Sequence, residues 1–510
     1  VHSESASSAN AAPPLARSVQ DYIDMRPTWP DGTPTGSAPM TSMQWLIWSL
    51  AAAGKFFEGL VVFMTGIALP LIARQFHITA GQDGIVSAAT LLGILIGAVG
   101  LGGLSDAFGR KRMFVVEMII FMVFLACITV VTGFWPLVVC LFGIGLALGC
   151  DYPTAHMIIS ESTPSSSRGQ LVIGAFAFQA VGALVGTGVG WLVLQRDPAL
   201  DAWHWMFATA LIPGLIVTVW RFYITESPSW LFVRGDRDRA QVAAARLLSR
   251  RERYPKEVTL AGGNGKSSHG SEQMNFAALF RPQNRRATIL ASVPWFLQDL
   301  STYGIGIFTP TLLAAAFGGP DHFRSTADII AKDIIAAKGS ALITSMLLVG
   351  ITFAVLLADR LGRIRLQVFG FIGCAAGLLI ASCSAYAGDS LKIFLIFAGV
   401  MVFNFMTDLG PNAQTYLLAG EVFPTAIRGS GAGFAAAFAK IGAVLTAFMF
   451  PILLKGIGQQ ALLLILVGTS LLGAAVTWWY RIETTGVNLD EIGARPVPAR
   501  RAATPEAVPT

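Results

Sequence analysis

Several ionisable side chains stand inside stretches of this chain that are otherwise apolar. The run Gly149-Cys150-Asp151-Tyr152-Pro153-Thr154-Ala155-His156-Met157-Ile158-Ile159-Ser160-Glu161 closes an apolar segment that begins near Trp135. A carboxylate at bilayer depth costs roughly 2.5–3.5 kcal/mol on insertion scales, so Asp151 needs a partner or a task. Lys55 and Glu58 are three apart and share a helical face. Trp295, Asp299 and Tyr303 follow at i, i+4 and i+8 and stack on one face. Asp408 and Asn412 are again four apart, and Gln179 and Lys440 stand in further apolar runs. Each has a plainer reading: mutual neutralisation for Lys55 and Glu58, an interhelical hydrogen bond for His156, Gln179 and Asn412, an interfacial belt for Trp295 and Tyr303, a helix end for Asp408.

Taken together, two or three carboxylates, one or two lysines, amides and a tyrosine suit a partly protonated oxyanion. Sulfate has no donors and the carboxylates would repel it; a sugar would not need a lysine. Dihydrogen phosphate carries P–OH donors that Asp299 or Asp151 accept and negative oxygens for Lys440. Tyr152, Tyr303, Trp295, Gln179 and Asn412 supply further donors. A hydroxylated carboxylate meets the same demands.

The elements that hold these residues follow from composition. Of 510 residues, 54% are hydrophobic and only 13% charged, against roughly 25% charged in soluble domains. That places the chain among polytopic membrane proteins. Its net charge of +6 comes from basic residues between apolar spans and is no nucleic-acid signal. Twelve spans are expected, at 43–74, 84–104, 113–132, 135–159, 170–194, 204–224, 287–316, 338–358, 364–386, 391–419, 429–454 and 460–480. Arg110, Lys111, Arg112, Arg168, Arg360, Arg363, Arg365, Arg428 and the basic segment 233–286 fall on one side if both termini are cytoplasmic. Residues 1–42 and 486–510 read as cytoplasmic tails, the first disordered. The five cysteines all lie in apolar spans without metal spacing and read as packing residues. No phosphate loop, Ser/His/Asp set or metal cluster emerges, so neither a cofactor nor an enzyme is expected.

The chain also repeats itself. Asp106 with Arg110 is echoed by Asp359 with Arg363, Glu161 with Arg168 by Glu421 with Arg428, and Glu226-Ser227-Pro228 by Glu483-Thr484-Thr485-Gly486, at offsets of 253, 260 and 257 residues. Near-constant offsets imply two parallel six-helix bundles, 43–232 and 287–485, joined by the linker 233–286. In that plan the substrate site lies at mid-membrane between the halves. The eight charged residues from Asp106 to Arg428 offer a charge lock that differs between alternating states.

These loop motifs make residues 43–492 resemble the major facilitator superfamily, which implies the all-α two-bundle fold. A second set resembles the phosphate:proton symporters: Asp151-Tyr152-Pro153 through Ser160-Glu161, Phe176-Ala177-Phe178-Gln179, Trp295-Phe296-Leu297-x-Asp299 with Tyr303, Gly410-Pro411-Asn412, Glu421-x-Phe423-Pro424 and Lys440. The resemblance implies that Tyr152, Gln179, Trp295, Asp299, Tyr303, Asn412 and Lys440 bind phosphate and that Asp151 couples protons. Span one departs from the pattern. Glu58 stands one position before the first of two aspartate positions that are lost, and is expected to take over that role. His156 stands where the pattern has alanine, and Asp408 where it often has asparagine. The expected activity is proton-coupled uptake of phosphate by alternating access, in a plasma or bacterial inner membrane. The alternatives are an organic acid or other small polar metabolite as substrate, or a membrane sensor that does not transport. Protons, a small anion and the bilayer are the expected partners; the sequence does not set an oligomeric state.

Overall fold

The computed structural model describes residues 18–25, 40–101, 104–165, 167–249, 276–316, 326–424 and 427–484. The described residues are helical and turn structure, with no strand among them. Most of the expected tails, and linker residues 250–275, lie outside the described residues.

The first half comprises α1 (Val19–Asp24), α2 (Ser42–Gln75), α3 (Ala80–Ile96), α4 (Leu104–Phe108), α5 (Arg110–Ile128), α6 (Phe134–Ser162), α7 (Arg168–Arg196), α8 (Ala202–Thr209) and α9 (Leu211–Tyr223). The linker contributes α10 (Pro228–Val233) and α11 (Arg237–Leu247). The second half comprises α12 (Phe276–Leu279), α13 (Arg285–Ala316), α14 (Thr326–Leu361), α15 (Arg363–Ser382), α16 (Asp389–Leu409), α17 (Pro411–Glu421) and α18 (Arg428–Trp479). Local chemistry fixes the starts. Thr41 and Gln44 form a capping box on α2, and Thr79 and Gln82 another on α3, each satisfying amides that a helix start leaves open.

Nine helical stretches among the described residues are long and apolar enough to cross a membrane. Among the described residues, helix runs through part of each of the twelve expected segments. The helix α5 carries Arg110, Lys111, Arg112 and Glu117, and α13 carries Asp299, Pro294 and Pro310, so neither reads as plainly apolar. The helix α18 runs through both the eleventh and twelfth segments and breaks at Gly458, whose φ is 82°. One expectation is corrected. Inside the tail 1–42, residues 19–24 form a capped helix that buries Val19, Tyr22 and Ile23, because these three pack in one cluster with Leu231, Ala240 and Leu247 of the linker helices.

The two halves pack alike. In the first, α2 lies on α7, α3 on α6, and α5 between α6 and α9; in the second, α13 lies on α18, α14 on α16, and α15 between α16 and α18. Between halves, α3 meets α18, α7 meets α14, and α2 meets α13. The repeat extends to atoms. Gly109 and Gly362 hold φ of 108° and 88°, a region that only glycine adopts cheaply. Beside them, Glu226 accepts from the Lys111 amide at 2.9 Å and Glu483 from the Arg363 amide at 3.0 Å. Each carboxylate thus caps the first turn of α5 or α15, where the helix dipole favours negative charge.

Candidate functional site

The middle of α2 supplies Lys55 and Glu58. Both are buried, and Lys55 Nζ lies 3.0 Å from Glu58 Oε2, so the mutual neutralisation considered from the sequence exists. It is not the whole arrangement. The other oxygen, Oε1, turns to the second half, where Tyr303 donates to it at 3.1 Å and Lys440 Nζ lies 3.7 Å away; Gln179 Nε2 of the first half also donates to it, at 3.3 Å. Lys440 also donates to Asp299 at 3.2 Å and to the Tyr303 oxygen at 2.7 Å. Gln179 closes the ring by donating to Tyr303 at 3.1 Å. Four elements, α2, α7, α13 and α18, therefore place six polar side chains in one network between the halves. In a dry interior such a network is stabilising only because each member is satisfied.

Beside it lies a cavity of about 20 Å³, room for one or two waters, lined by Phe63, Gln179, Gln298, Thr302, Tyr303, Leu347, Asp408 and Asn412. Span ten breaks at Gly410-Pro411, since proline cannot donate to the preceding turn. The break puts Asp408 in the last turn of α16 and Asn412 in the first turn of α17. Asn412 donates to Asp408 at 2.6 Å. The helix-end reading of Asp408 is met, and the residue still faces the cavity.

Trp295 is buried one turn before Asp299 and meets Tyr416 edge-on, with ring centroids 6.0 Å apart. Tyr416 in turn stacks on Phe176 and stands 3.3 Å from Nδ1 of His156. His156 is thus an interhelical hydrogen-bonder, and its partner belongs to the other half. The Tyr152 side chain, like those of Asp106 and Asp359, lies outside the described residues.

Asp151 is elsewhere. Arg221 of α9 donates to it at 2.6 Å, to Glu117 of α5 at 3.1 Å and to the Phe114 carbonyl at 2.6 Å, and stacks on the Phe114 ring at 3.5 Å. Room for this carboxylate comes from Gly54, where a Cβ would sit 1.7 Å from Asp151 Oδ2. Two buried carboxylates share one guanidinium inside the first half. Glu117 and Arg221 were not singled out from the sequence. The signal was present, because both are ionisable residues in the expected third and sixth spans. Tyr416, four residues past Asn412, was the other omission.

A search against known families matches residues 47–495 to the sugar (and other) transporter model. The chain belongs to this family. With its membrane-length apolar helices it is a multi-pass membrane protein of that transporter family. Among its relatives, the inner membrane metabolite transport protein YgcS of Escherichia coli is 26% identical, over 89% of this chain and 95% of that one. The repressible high-affinity phosphate permease of Neurospora crassa is 25% identical, over 78% of this chain and 75% of the permease. The fold is similar to the partially occluded inward-open form of the xylose transporter XylE from E. coli, with a TM-score of 0.71 and 20% identity over 88% of this chain and 99% of that one.

Two ion pairs among the residues expected to form a charge lock lie within one half each. Arg110 reaches Glu161 at 3.3 Å, and Arg363 reaches Glu421 at 3.5 Å. Ser227 and Thr484 each donate to the same glutamates. Arg168 forms no ion pair with Glu161 among the described residues, and Arg428 donates to the Phe423 carbonyl at 3.2 Å. Among the described residues Glu161 thus pairs with Arg110 and not with Arg168, seven residues on. Besides Lys440 with Glu58 at the central site, Arg74 and Asp333 form an ion pair between the halves, at 3.4 Å.

Proposed function

We propose that the chain is a proton-coupled importer of inorganic phosphate. It has twelve membrane helices in two bundles, both termini cytoplasmic, and works by alternating access. One observation carries this reading: Lys440 is shared by Asp299 at 3.2 Å and Glu58 at 3.7 Å, carboxylates from opposite halves. An anion competes with those carboxylates for the same ammonium. A proton on Glu58 removes one competitor and frees Lys440 for a phosphate oxygen. Asp299 then accepts a P–OH, while Tyr303, Gln179 and Asn412 donate, with Tyr152 and Trp295 as the remaining members of the expected set.

Asp151 is the second proton-coupling candidate. With Glu117 it places two carboxylates on Arg221, and a proton removes the excess negative charge. Its neighbour Gly54 is adjacent in sequence to Lys55, which links this cluster to the central one. Neutralising the loaded site removes the penalty for closing it away from water, and the halves rock. Arg110, Glu161, Arg363 and Glu421, with Asp106, Arg168, Asp359 and Arg428, hold the cytoplasmic ends of each bundle during that motion. Each net positive charge carried inward gains about 2.3 kcal/mol per 100 mV.

The test is radiolabelled phosphate uptake into proteoliposomes under an inward proton gradient. Gradient-stimulated accumulation is expected. No stimulation, beside an active phosphate:proton symporter in the same preparation, overturns the proposal. A hydroxylated organic acid is the second reading. It is favoured by Asp408, a carboxylate on the cavity wall that enters no ion pair among the described residues. Competition of uptake by carboxylates separates the two.

A further inference from the structure

The Lys440 end of the central site is fully provided with charge, but the opposite wall of the adjoining cavity is built differently. Asp408 is 2% exposed and sits where a Cβ on Gly350 of α14 would meet its own Cβ at 3.1 Å. Its side chain is thus held by close helix packing. Its carboxylate receives a hydrogen bond from Asn412 and enters no ion pair among the described residues. Gln298 lines the same cavity, is also 2% exposed, and donates to Thr302 at 2.8 Å, but its Oε1 has no hydrogen-bond partner. The cavity is thus lined by a buried amide oxygen that lacks a donor and by a carboxylate that accepts from Asn412. Buried acceptors are normally satisfied, and an orphaned amide oxygen that shares a cavity with a carboxylate of spare acceptor capacity calls for a donor from what enters it.

We propose that Asp408, Asn412 and Gln298 form a hydroxyl-reading subsite, which admits an anion only if it presents an O–H donor to this wall. The inference rests on the reading of the Lys440 centre as the substrate site and specifies the class of substrate it takes. Dihydrogen phosphate supplies such a donor through P–OH and a small hydroxy acid through C–OH. Sulfate supplies none and meets the Asp408 carboxylate with lone pairs only. A site that hydrogen-bonds a hydroxyl rejects the analogue lacking it because its own buried groups stay unpaired.

The test uses the purified full-length chain and its thermal stabilisation by inorganic phosphate, glycerate or sulfate, since a ligand that binds the folded state raises its melting temperature. For the wild type, phosphate or glycerate stabilises and sulfate does not. Asp408→Asn keeps the shape and adds an N–H donor, so the preference for donor-bearing ligands over sulfate is expected to fall by about 10²-fold or more. If Asp408→Asn does not give a monodisperse protein, Gln298→Met carries the test, with a loss of discrimination in the same direction. Sulfate stabilising the wild type as well as the others, or either folded variant keeping the wild-type discrimination, overturns the proposal. Stabilisation by glycerate alone supports the subsite while overturning inorganic phosphate as the substrate. Stabilisation by none of the three overturns both.

Discussion

Glu58 Oε1 lies 3.7 Å from Lys440 Nζ, so a carboxylate of α2 and an ammonium of α18 meet across the two halves. The same oxygen accepts from Tyr303 and Gln179. If the carboxylate is what holds Lys440 back from an anion, Glu58→Gln imitates its protonated form permanently. Phosphate exchange across the membrane should persist in this variant, while stimulation by an inward proton gradient falls to about unity. Paired uptake assays with and without the gradient check this. Unchanged stimulation would remove Glu58 from the coupling path.

Lys440 contacts Asp299, Glu58 and Tyr303 at once. Lys440→Ala deletes the cation and leaves two carboxylates at the centre of the site. Phosphate affinity should drop by about 10²-fold or more, because truncating one partner of a buried charge pair costs some 2–5 kcal/mol. Lys440→Arg keeps the charge but replaces a compact ammonium with a broad fork, so it should restore less than full affinity. Equilibrium binding of labelled phosphate reads both.

Arg221 is fully buried and holds Asp151 and Glu117 together. Arg221→Leu should destabilise the chain by about 3–5 kcal/mol, the usual cost of leaving a buried charge without its partner. Adding Asp151→Asn and Glu117→Gln to that variant should recover part of the loss, since no uncompensated carboxylate then remains. Melting temperatures in detergent follow the series. Asp151→Asn alone should keep a folded chain and lose the proton stimulation of uptake; stimulation at the wild-type level would show that Asp151 is structural.

The repeat was legible in the sequence because its charged loop residues recur at nearly constant offsets, and Glu226 and Glu483 do cap equivalent helices. The central site was legible for a related reason. Polar side chains in apolar spans have few roles, and Gln179, Asp299, Tyr303 and Lys440 meet as their types suggested. What the sequence left open is partnership. Asp151 pairs with Arg221, 70 residues on, and Glu161 with Arg110 rather than Arg168. Such choices depend on which helix faces lie together, and spacing along one helix does not encode that. The hydrogen bond between His156 and Tyr416, 260 residues apart, is of the same kind.

Gly66 and Gly84 test whether the halves must close as tightly as they do here. A Cβ on Gly66 would lie 2.3 Å from the Ile307 carbonyl oxygen, and one on Gly84 2.3 Å from that of Phe448. Both contacts cross from the first half to the second, and both lie toward the face opposite Arg110 and Arg363, where Arg74 meets Asp333. The obstructing atoms are backbone, so no side chain can swing aside. Gly66→Ala or Gly84→Ala therefore wedges this face apart and favours the state in which it stays open. Uptake should fall about tenfold or more, as a penalty of a few kcal/mol on one state leaves it rarely visited. Phosphate binding should be retained from the open face, because neither glycine touches the Lys440 cluster. Gly188→Ala, with nothing within 4 Å of its new methyl, is the control and should transport normally. Parallel loss of binding and uptake in the two wedge variants would indicate misfolding, and normal uptake in both would show that transport does not require this closure.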